Sequence, residues 1–194
     1  ECDRAALPCR AQVRWTAHGR TLIVQSRDRR EIAVLEADPA TGGTTVVYGD
    51  TDDAWIDLVP GTGTLVAPGT VVMCADRDGA RRLFVGHAMV SPADVQVRAV
   101  VSAEPQRVVV TGNPVDDATV QHVYQWTPDG FAALTDGLGV HAAAVGGPTV
   151  LLRSSTLDEP GGRWRLPGDA SGERQVDRRT ETPLVRPNPT LALR

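Results

Sequence analysis

Serine side chains are the first groups in this sequence to consider for chemistry. The serine nucleophile of many hydrolases lies in the pattern G-x-S-x-G, on a tight turn between a strand and a helix. The sequence does not contain this pattern, and none of its serines has the two flanking glycines. A serine also needs an activating base and a pair of hydrogen-bond donors, which no motif here indicates. We therefore assign no catalytic residue to this chain.

Adjacent carboxylates could in principle act as an acid and a base. They occur at Asp52/Asp53, Asp116/Asp117 and Asp158/Glu159. A glycosidase needs two carboxylates from different elements, about 5–10 Å apart across one cleft. Neighbouring acidic residues between short apolar runs are instead typical of solvated turns. The pairs therefore favour turns over a glycosidase site.

Histidine and cysteine residues show no spacing typical of a metal site. His18, His87, His122 and His141 lie in no H-x-x-x-H context, and the cysteines form no C-x-x-C motif. "GTGTL", at residues 61–65, lacks the lysine and the following helix of a phosphate-binding loop. We predict no metal and no cofactor.

The three cysteines do not make an even disulfide framework. Cys74 lies within an apolar run, which predicts a buried free thiol. Cys2 and Cys9 are predicted to be reduced thiols in the cytoplasm, and a disulfide between them is the alternative in an oxidising compartment.

The amino-acid composition favours a soluble globular protein over a membrane-spanning or nucleic-acid-binding one. The chain has 194 residues, of which 41% are hydrophobic and 23% charged, as in soluble globular proteins. Its apolar runs are far shorter than the roughly 20 residues of a membrane span. A net charge of −4 argues against nucleic acid as a partner. All 20 basic residues are arginine, which indicates a bacterium with a GC-rich genome, such as an actinobacterium.

A repeat of about 40 residues organises the sequence. Equivalent positions in successive units are Trp15, Trp55, Val97 and Val140, which lie 40, 42 and 43 residues apart. Each unit contains four short β-type runs separated by Gly, Pro, Asp and Asn turns. Four strands in such a period are typical of a β-propeller blade. The sequence therefore predicts an all-β fold, a partial β-propeller with about four four-stranded antiparallel blades.

The repeat also predicts the limits of the blades. They fall at residues 13–50, 54–91, 95–137 and 139–181, and the Pro-rich residues 182–194 form an extended connector. In the second unit we assign the first strand to residues 54–59 and the middle hairpin to residues 71–86. Four blades that do not close on themselves would leave two apolar faces bare, and such faces mark interfaces.

The motifs and their order resemble the N-terminal propeller of dipeptidyl peptidase IV-like serine peptidases, in the prolyl oligopeptidase superfamily. The stretches that carry the resemblance are "VRWTAHGRTLIVQSRDRR", "DDAWIDLVPG", "VVMCADRDGARRLFVG" and "LTDGLGVH". The resemblance covers residues 13–181 and corresponds to the second half of that family's eight-bladed propeller. It implies that the first half, and an α/β-hydrolase catalytic domain, lie outside this chain.

The four tryptophans are candidates for a stacking surface that binds a ligand: Trp15, Trp55, Trp126 and Trp164. They fall at different strand positions, which favours packing between blades over a shared stacking surface. Trp55 is the exception, because the resemblance places its turn toward the cavity shared with the hydrolase domain. It implies that Trp55, Ile56 and Asp57 line the entrance for the N-terminal part of a peptide.

The resemblance implies a non-catalytic propeller portion of a serine exopeptidase, which gates peptide access and docks the catalytic domain. The expected partners are the α/β-hydrolase domain of the same polypeptide, a peptide substrate and, as a further candidate, a second copy in a homodimer. Nucleic acid and membranes are not expected, and the expected location is the cytoplasm. Two alternatives stay open: a stand-alone β-propeller interaction module, and a carbohydrate-active propeller enzyme with convergent carboxylates in its channel.

Overall fold

The computed structural model describes residues 10–158, 162–169 and 172–176. In these ranges the chain forms sixteen β-strands, grouped in four separate sheets of four strands. Within each sheet the strands follow one another in chain order, and every neighbouring pair is antiparallel. The predicted all-β fold, a partial propeller of four four-stranded blades, is confirmed. The predictions for Cys2, Cys9, Glu159 and residues 182–194 lie outside the described residues.

We number the sheets as blades 1 to 4. Blade 1 contains β1 (Arg10–Thr16), β2 (Gly19–Gln25), β3 (Glu31–Ala37) and β4 (Thr44–Thr51). Blade 2 contains β5 (Thr64–Ala67), β6 (Thr70–Arg77), β7 (Ala80–Val85) and β8 (Ala88–Met89). Blade 3 contains β9 (Val95–Glu104), β10 (Arg107–Pro114), β11 (His122–Thr127) and β12 (Gly130–Ala133). Blade 4 contains β13 (Val140–Gly146), β14 (Thr149–Ser155), β15 (Arg163–Asp169) and β16 (Gly172–Val176).

Burial along the strands follows from the stacking of blades. In β2, buried Thr21, Ile23 and Gln25 alternate with half-buried residues, because one face of blade 1 is covered. In β6, residues 71–75 are all buried, because blade 2 has a neighbour on each side. A strand covered on both faces carries a continuous apolar run.

Three hydrophobic cores join successive blades. The core between blades 1 and 2 contains Ile23, Ile32, Val34, Tyr48, Val71 and Met73. The core between blades 2 and 3 is the largest and includes Leu83, Val97, Val108 and Val110. Within the described residues, the core between blades 3 and 4 has four buried members, Val109, Val123, Val150 and Leu152. Among those residues, the last junction therefore has the smallest buried apolar core.

Residues 71–86 form the β6–β7 hairpin, as predicted. Its turn has positive φ at both Asp78 and Gly79, at 53° and 78°. Positive φ at both central residues defines a type I′ turn, whose twist matches that of the flanking strands, and Asp-Gly is a preferred sequence for it.

The first strand of blade 2 is not where the sequence predicted it. Residues 54–59 form a connection without regular structure, and the first strand is β5, after Pro60 and the positive-φ residues Gly61 and Gly63. Ile56 and Leu58 of this connection pack against the core between blades 1 and 2. The apolar and polar residues of 54–59 alternate because every second side chain of this connection packs against the blades. This gives the same period of two as a strand.

Within the described residues, the blades form an open arc, because the more extensive contacts join blade 1 to 2, 2 to 3 and 3 to 4. The outer face of blade 1 exposes Val13, Val46 and Trp15, which is 71% exposed and lies under the guanidinium group of Arg20. The part of the chain described here contains no helix long and apolar enough to cross a membrane.

Candidate functional site

A shallow recess, open to solvent, lies between blades 1 and 2. All three predicted site residues line it: Trp55, Ile56 and Asp57. Its other walls come from the ends of β4 and β6, the start of β7 and the connection between blades 1 and 2. They carry Asp50, Asp52, Cys74, Ala75, Asp76, Arg77 and Arg81.

Hydrogen bonds from blade 1 fix the backbone that carries Trp55. The Oδ1 of Asp52 accepts from the backbone N–H groups of Ala54 and Trp55, at 2.7 and 3.1 Å. The N–H of Ile56 donates to the carbonyl of Arg29, and the side-chain amide of Gln25 donates to the carbonyl of Ile56. The indole of Trp55 nevertheless stays 65% exposed. The recess thus presents a large aromatic surface on a fixed backbone.

Carboxylates outnumber guanidinium groups around the recess. Arg77 pairs with Asp50, whose other oxygen accepts from the hydroxyl of Tyr48 at 3.2 Å. Arg81 lies between Asp76, at 3.1 Å, and Asp57, at 3.5 Å. Asp52 adds a further negative charge. The excess of negative charge favours a cationic or hydrogen-bond-donating group over an anion.

Cys74 and Tyr48 are not reactive groups in this setting. Burial, more than any other cause, raises the pKa of the Cys74 thiol to about 12. Burial and the neighbouring Asp50 raise the pKa of Tyr48 well above its usual value. A thiol acts as a nucleophile only as the thiolate, so Cys74 behaves as a small core residue. The prediction of a buried free thiol at Cys74 is confirmed.

Cys74 is expected to resist thiol reagents while the protein is folded. At pH 8, a pKa of about 12 leaves roughly one thiol in 10,000 as thiolate, and burial excludes the reagent as well. The measurement is the labelling rate with iodoacetamide in a C2S/C9S variant, followed by mass spectrometry. The same variant in concentrated urea, which should react fully, is the control. Labelling in native buffer at the rate of the unfolded chain would contradict the burial of Cys74.

The recess combines an exposed aromatic ring with paired charges. Among the described residues, those that line it include no serine or histidine, and its cysteine is buried and protonated. The proton donor of a glycosidase works from apolar surroundings. Asp50, Asp57 and Asp76 have guanidinium partners instead. An exposed indole on a fixed backbone, surface carboxylates and paired arginines can bind a flexible ligand by stacking, charge and hydrogen bonds.

The sequence-based prediction named Trp55, Ile56 and Asp57, which line the recess, but it did not include the polar wall. Asp50, Arg77 and Arg81 belong to three different strands, and Asp50 lies 27 residues from its partner Arg77. The available clue was the run of charges in "DRDGARR", which also fits an ordinary solvated turn.

Comparison with known proteins shows the fold. No protein-family model and no curated protein matches this sequence. The crystal structure of Porphyromonas gingivalis dipeptidyl peptidase 4 matches with a TM-score of 0.69 and 13% identity, over 85% of this chain. The match covers 25% of that protein and is consistent with its propeller region. This chain therefore spans about a quarter of the length of the structure it matches.

The structural match agrees with the sequence resemblance at the level of the fold. At 13% identity it carries no information on individual site residues. The assignment of Trp55, Ile56 and Asp57 to a peptide entrance stays a prediction, as do the expected partners and location.

Proposed function

We propose that this chain is the non-catalytic propeller portion of a serine exopeptidase of the dipeptidyl peptidase type. The observation that carries the proposal is an open arc of four blades, similar to part of a dipeptidyl peptidase 4, with an apolar face exposed at each end. A face of this kind is typical of an interface.

The register of blade 1 supports the view that its outer face is built to be covered. Val13 pairs with Leu22, which pairs with Leu35, so the three side chains share one face, opposite Ile23. Ile23 is fully buried against blade 2, whereas Val13 is exposed. Both faces of the blade are thus apolar, although only one has a neighbour among the described residues.

Blade 4 has a similar outer face at the other end of the arc. Val140 and Val176 are exposed there, and Trp164 lies beside the guanidinium group of Arg153, 5.9 Å from the ring centroid. Further blades from the same polypeptide, packed on these two faces, would extend the arc into a ring. Each added junction would stabilise the protein in proportion to the apolar area that it buries.

In this proposal the ring limits access to the catalytic domain, and the recess contributes to the entrance. The indole of Trp55 offers a stacking surface for an apolar side chain, and Asp57 offers a hydrogen-bond acceptor to the N-terminal part of a peptide. The partners are the α/β-hydrolase domain of the same polypeptide and a peptide substrate. The proposed location is the cytoplasm, on the basis of the cysteine pattern.

The test is peptidase activity of the full-length gene product on chromogenic dipeptide substrates. We expect W55A and D57A to raise KM by about tenfold each with little change in kcat, as for the loss of one binding contact. L138A removes an 80% exposed side chain from another connection and is the matched control, with an unchanged KM.

Two negative results would have different meanings. Unchanged KM values in W55A and D57A, with the fold intact, would remove the recess from the entrance and leave the propeller assignment in place. A full-length protein without a hydrolase domain and without peptidase activity would overturn the proposal, and the stand-alone interaction module would take its place.

A further inference from the structure

Two histidine rings stack across the junction between blades 3 and 4, away from the recess. They are His122 of β11 and His141 of β13, with ring centroids 5.2 Å apart and planes 14° from parallel. His141 is only 4% exposed, whereas His122 is half-buried. The pair thus places two titratable groups face to face at a contact between blades.

The same place carries the backbone hydrogen bonds that join the two blades. The N–H of Gln121 donates to the carbonyl of Gly139 at 3.1 Å, and the N–H of His141 donates to the carbonyl of Gln121 at 2.9 Å. The side-chain amide of Gln121 donates to the carbonyl of His141 at 3.0 Å. A displacement of the His141 ring would therefore disturb the bonds that align β13 with blade 3.

The surroundings of His141 suit a neutral imidazole. Its Nδ1 is 2.8 Å from the hydroxyl of Ser154, whereas its buried Nε2 has no hydrogen-bond partner within the described ranges. In the protonated ring both nitrogens carry a hydrogen, and the hydroxyl of Ser154 can accept only the one on Nδ1. A buried charge whose hydrogens are not all paired is costly.

Charged and titratable groups face His141 from each neighbouring element. Burial, followed by His122 and then Arg165 of β15, lowers the pKa of His141. Asp136 and the carbonyl of Gly137, both in the connection before β13, act in the opposite direction but do not cancel the shift. Tyr124 of β11 lies edge-on to the ring of His122, on the side of blade 3.

Counted over the described part of the chain, this junction also has the smallest apolar core of the three, with four buried members. A small core leaves a larger share of the association to polar contacts. Two further polar links cross this junction within the described residues. The guanidinium group of Arg107 donates to the carbonyls of Pro148 and Gly147, and that of Arg165 donates to the carbonyl of Leu134 at 3.1 Å. Both links involve permanently charged arginines and do not change with pH near neutrality.

We propose that the junction between blades 3 and 4 is an acid-sensitive latch, in which protonation of His141 against His122 releases blade 4 while blades 1 to 3 stay packed. In the released state the His141 ring is solvated, with an ordinary pKa of about 6.5. Release therefore takes up a proton, and it becomes more favourable as the pH falls through that value.

The test is hydrogen–deuterium exchange of this 194-residue chain at about pH 7.5 and about pH 5.5, with rates corrected for the intrinsic effect of pH. We expect the opening constant of β13 and β14 to rise as the pH falls, by up to about tenfold, which is the limit for the uptake of one proton by a group with a pKa of about 6.5 in the released state. Exchange in β6 and β7 should not change, because blade 2 has larger cores on both sides.

Glutamine variants separate the histidines from other acid effects. H141Q cannot be protonated and should lose most of the pH dependence, whereas H87Q, which changes an exposed histidine in the β7–β8 turn, should behave as the wild type. An undiminished change in H141Q, or equal changes in blades 2 and 4 of the wild type, would overturn the latch.

A second variant covers the case in which H141Q leaves blade 4 open at both pH values. H122Q keeps the titrating group and removes the facing ring, which contributes to the lowered pKa of His141. Because burial is the larger cause of that shift, the pH dependence of the opening constant should persist in H122Q, at a smaller size than in the wild type. Complete loss of the pH dependence in H122Q, or a change as large as in the wild type, would contradict the proposal.

Discussion

Replacement of Gly61 by alanine is expected to destabilise the protein by about 3 to 4 kcal/mol. Gly61 has φ of +84°, and a Cβ atom there would lie 2.0 Å from the carbonyl oxygen of Val100. The neighbouring Pro60 carbonyl accepts a hydrogen bond from the N–H of Val100 at 2.8 Å. The chain could move away from β9 only by breaking that bond. The strain of alanine at positive φ and the lost hydrogen bond therefore both reduce the stability of the variant.

Gly69→Ala is the matched control for this prediction. Gly69 also has positive φ, at +71°, but a Cβ there would meet nothing within 4 Å. Its replacement should reduce the free energy of unfolding only by the cost of placing a residue with a Cβ atom at positive φ, about 1 kcal/mol. Urea denaturation of both variants gives the free energies of unfolding. Equal losses would show that the cost at Gly61 comes from its backbone conformation and not from the approach to Val100.

Replacement of Leu83 by alanine is expected to destabilise the protein by about 2 to 5 kcal/mol. Leu83 is fully buried in the core between blades 2 and 3, the largest of the three cores. The cost combines the lost transfer of the side chain out of water with the cavity left between two sheets. Thermal and urea unfolding measure it.

Leu138→Ala is the control for Leu83, because Leu138 is exposed in the connection between blades 3 and 4. Its replacement should change the free energy of unfolding by less than about 0.5 kcal/mol. A loss below about 1 kcal/mol in L83A would mean that the blades close around the missing side chain, and that the core is less tightly packed than its burial indicates.

The blades could be predicted from the sequence because their determinants are local. The turn at Asp78 and Gly79 is encoded by two adjacent residues whose positive φ values the sequence itself favours. Determinants of this kind repeat in each blade, so the period of the repeat was visible without a structure.

Residues 54–59 could not be assigned correctly for a related reason. Their alternation of apolar and polar side chains is real, since Ile56 and Leu58 do pack inward. The periodicity identifies which side chains are buried, but not whether the backbone forms a ladder of hydrogen bonds. Only the positions of the neighbouring blades decide that.

The polar wall of the recess and the histidine pair depend on contacts between distant parts of the chain. Asp50 meets Arg77 from another blade, and His122 meets His141 across a junction. Neither spacing corresponds to a motif, because the twist and separation of two sheets set the distance. Such pairs become visible only when the blades are placed side by side.

The stacking of each blade on its immediate neighbours has a consequence for how such a protein can evolve. Because the interior is a series of similar junctions and not one shared centre, a whole repeat can be duplicated or lost without redesign of the remaining cores. A new repeat needs only one apolar face for each neighbour. Gene duplication can therefore change the circumference of the assembly while the junctions keep the same chemistry.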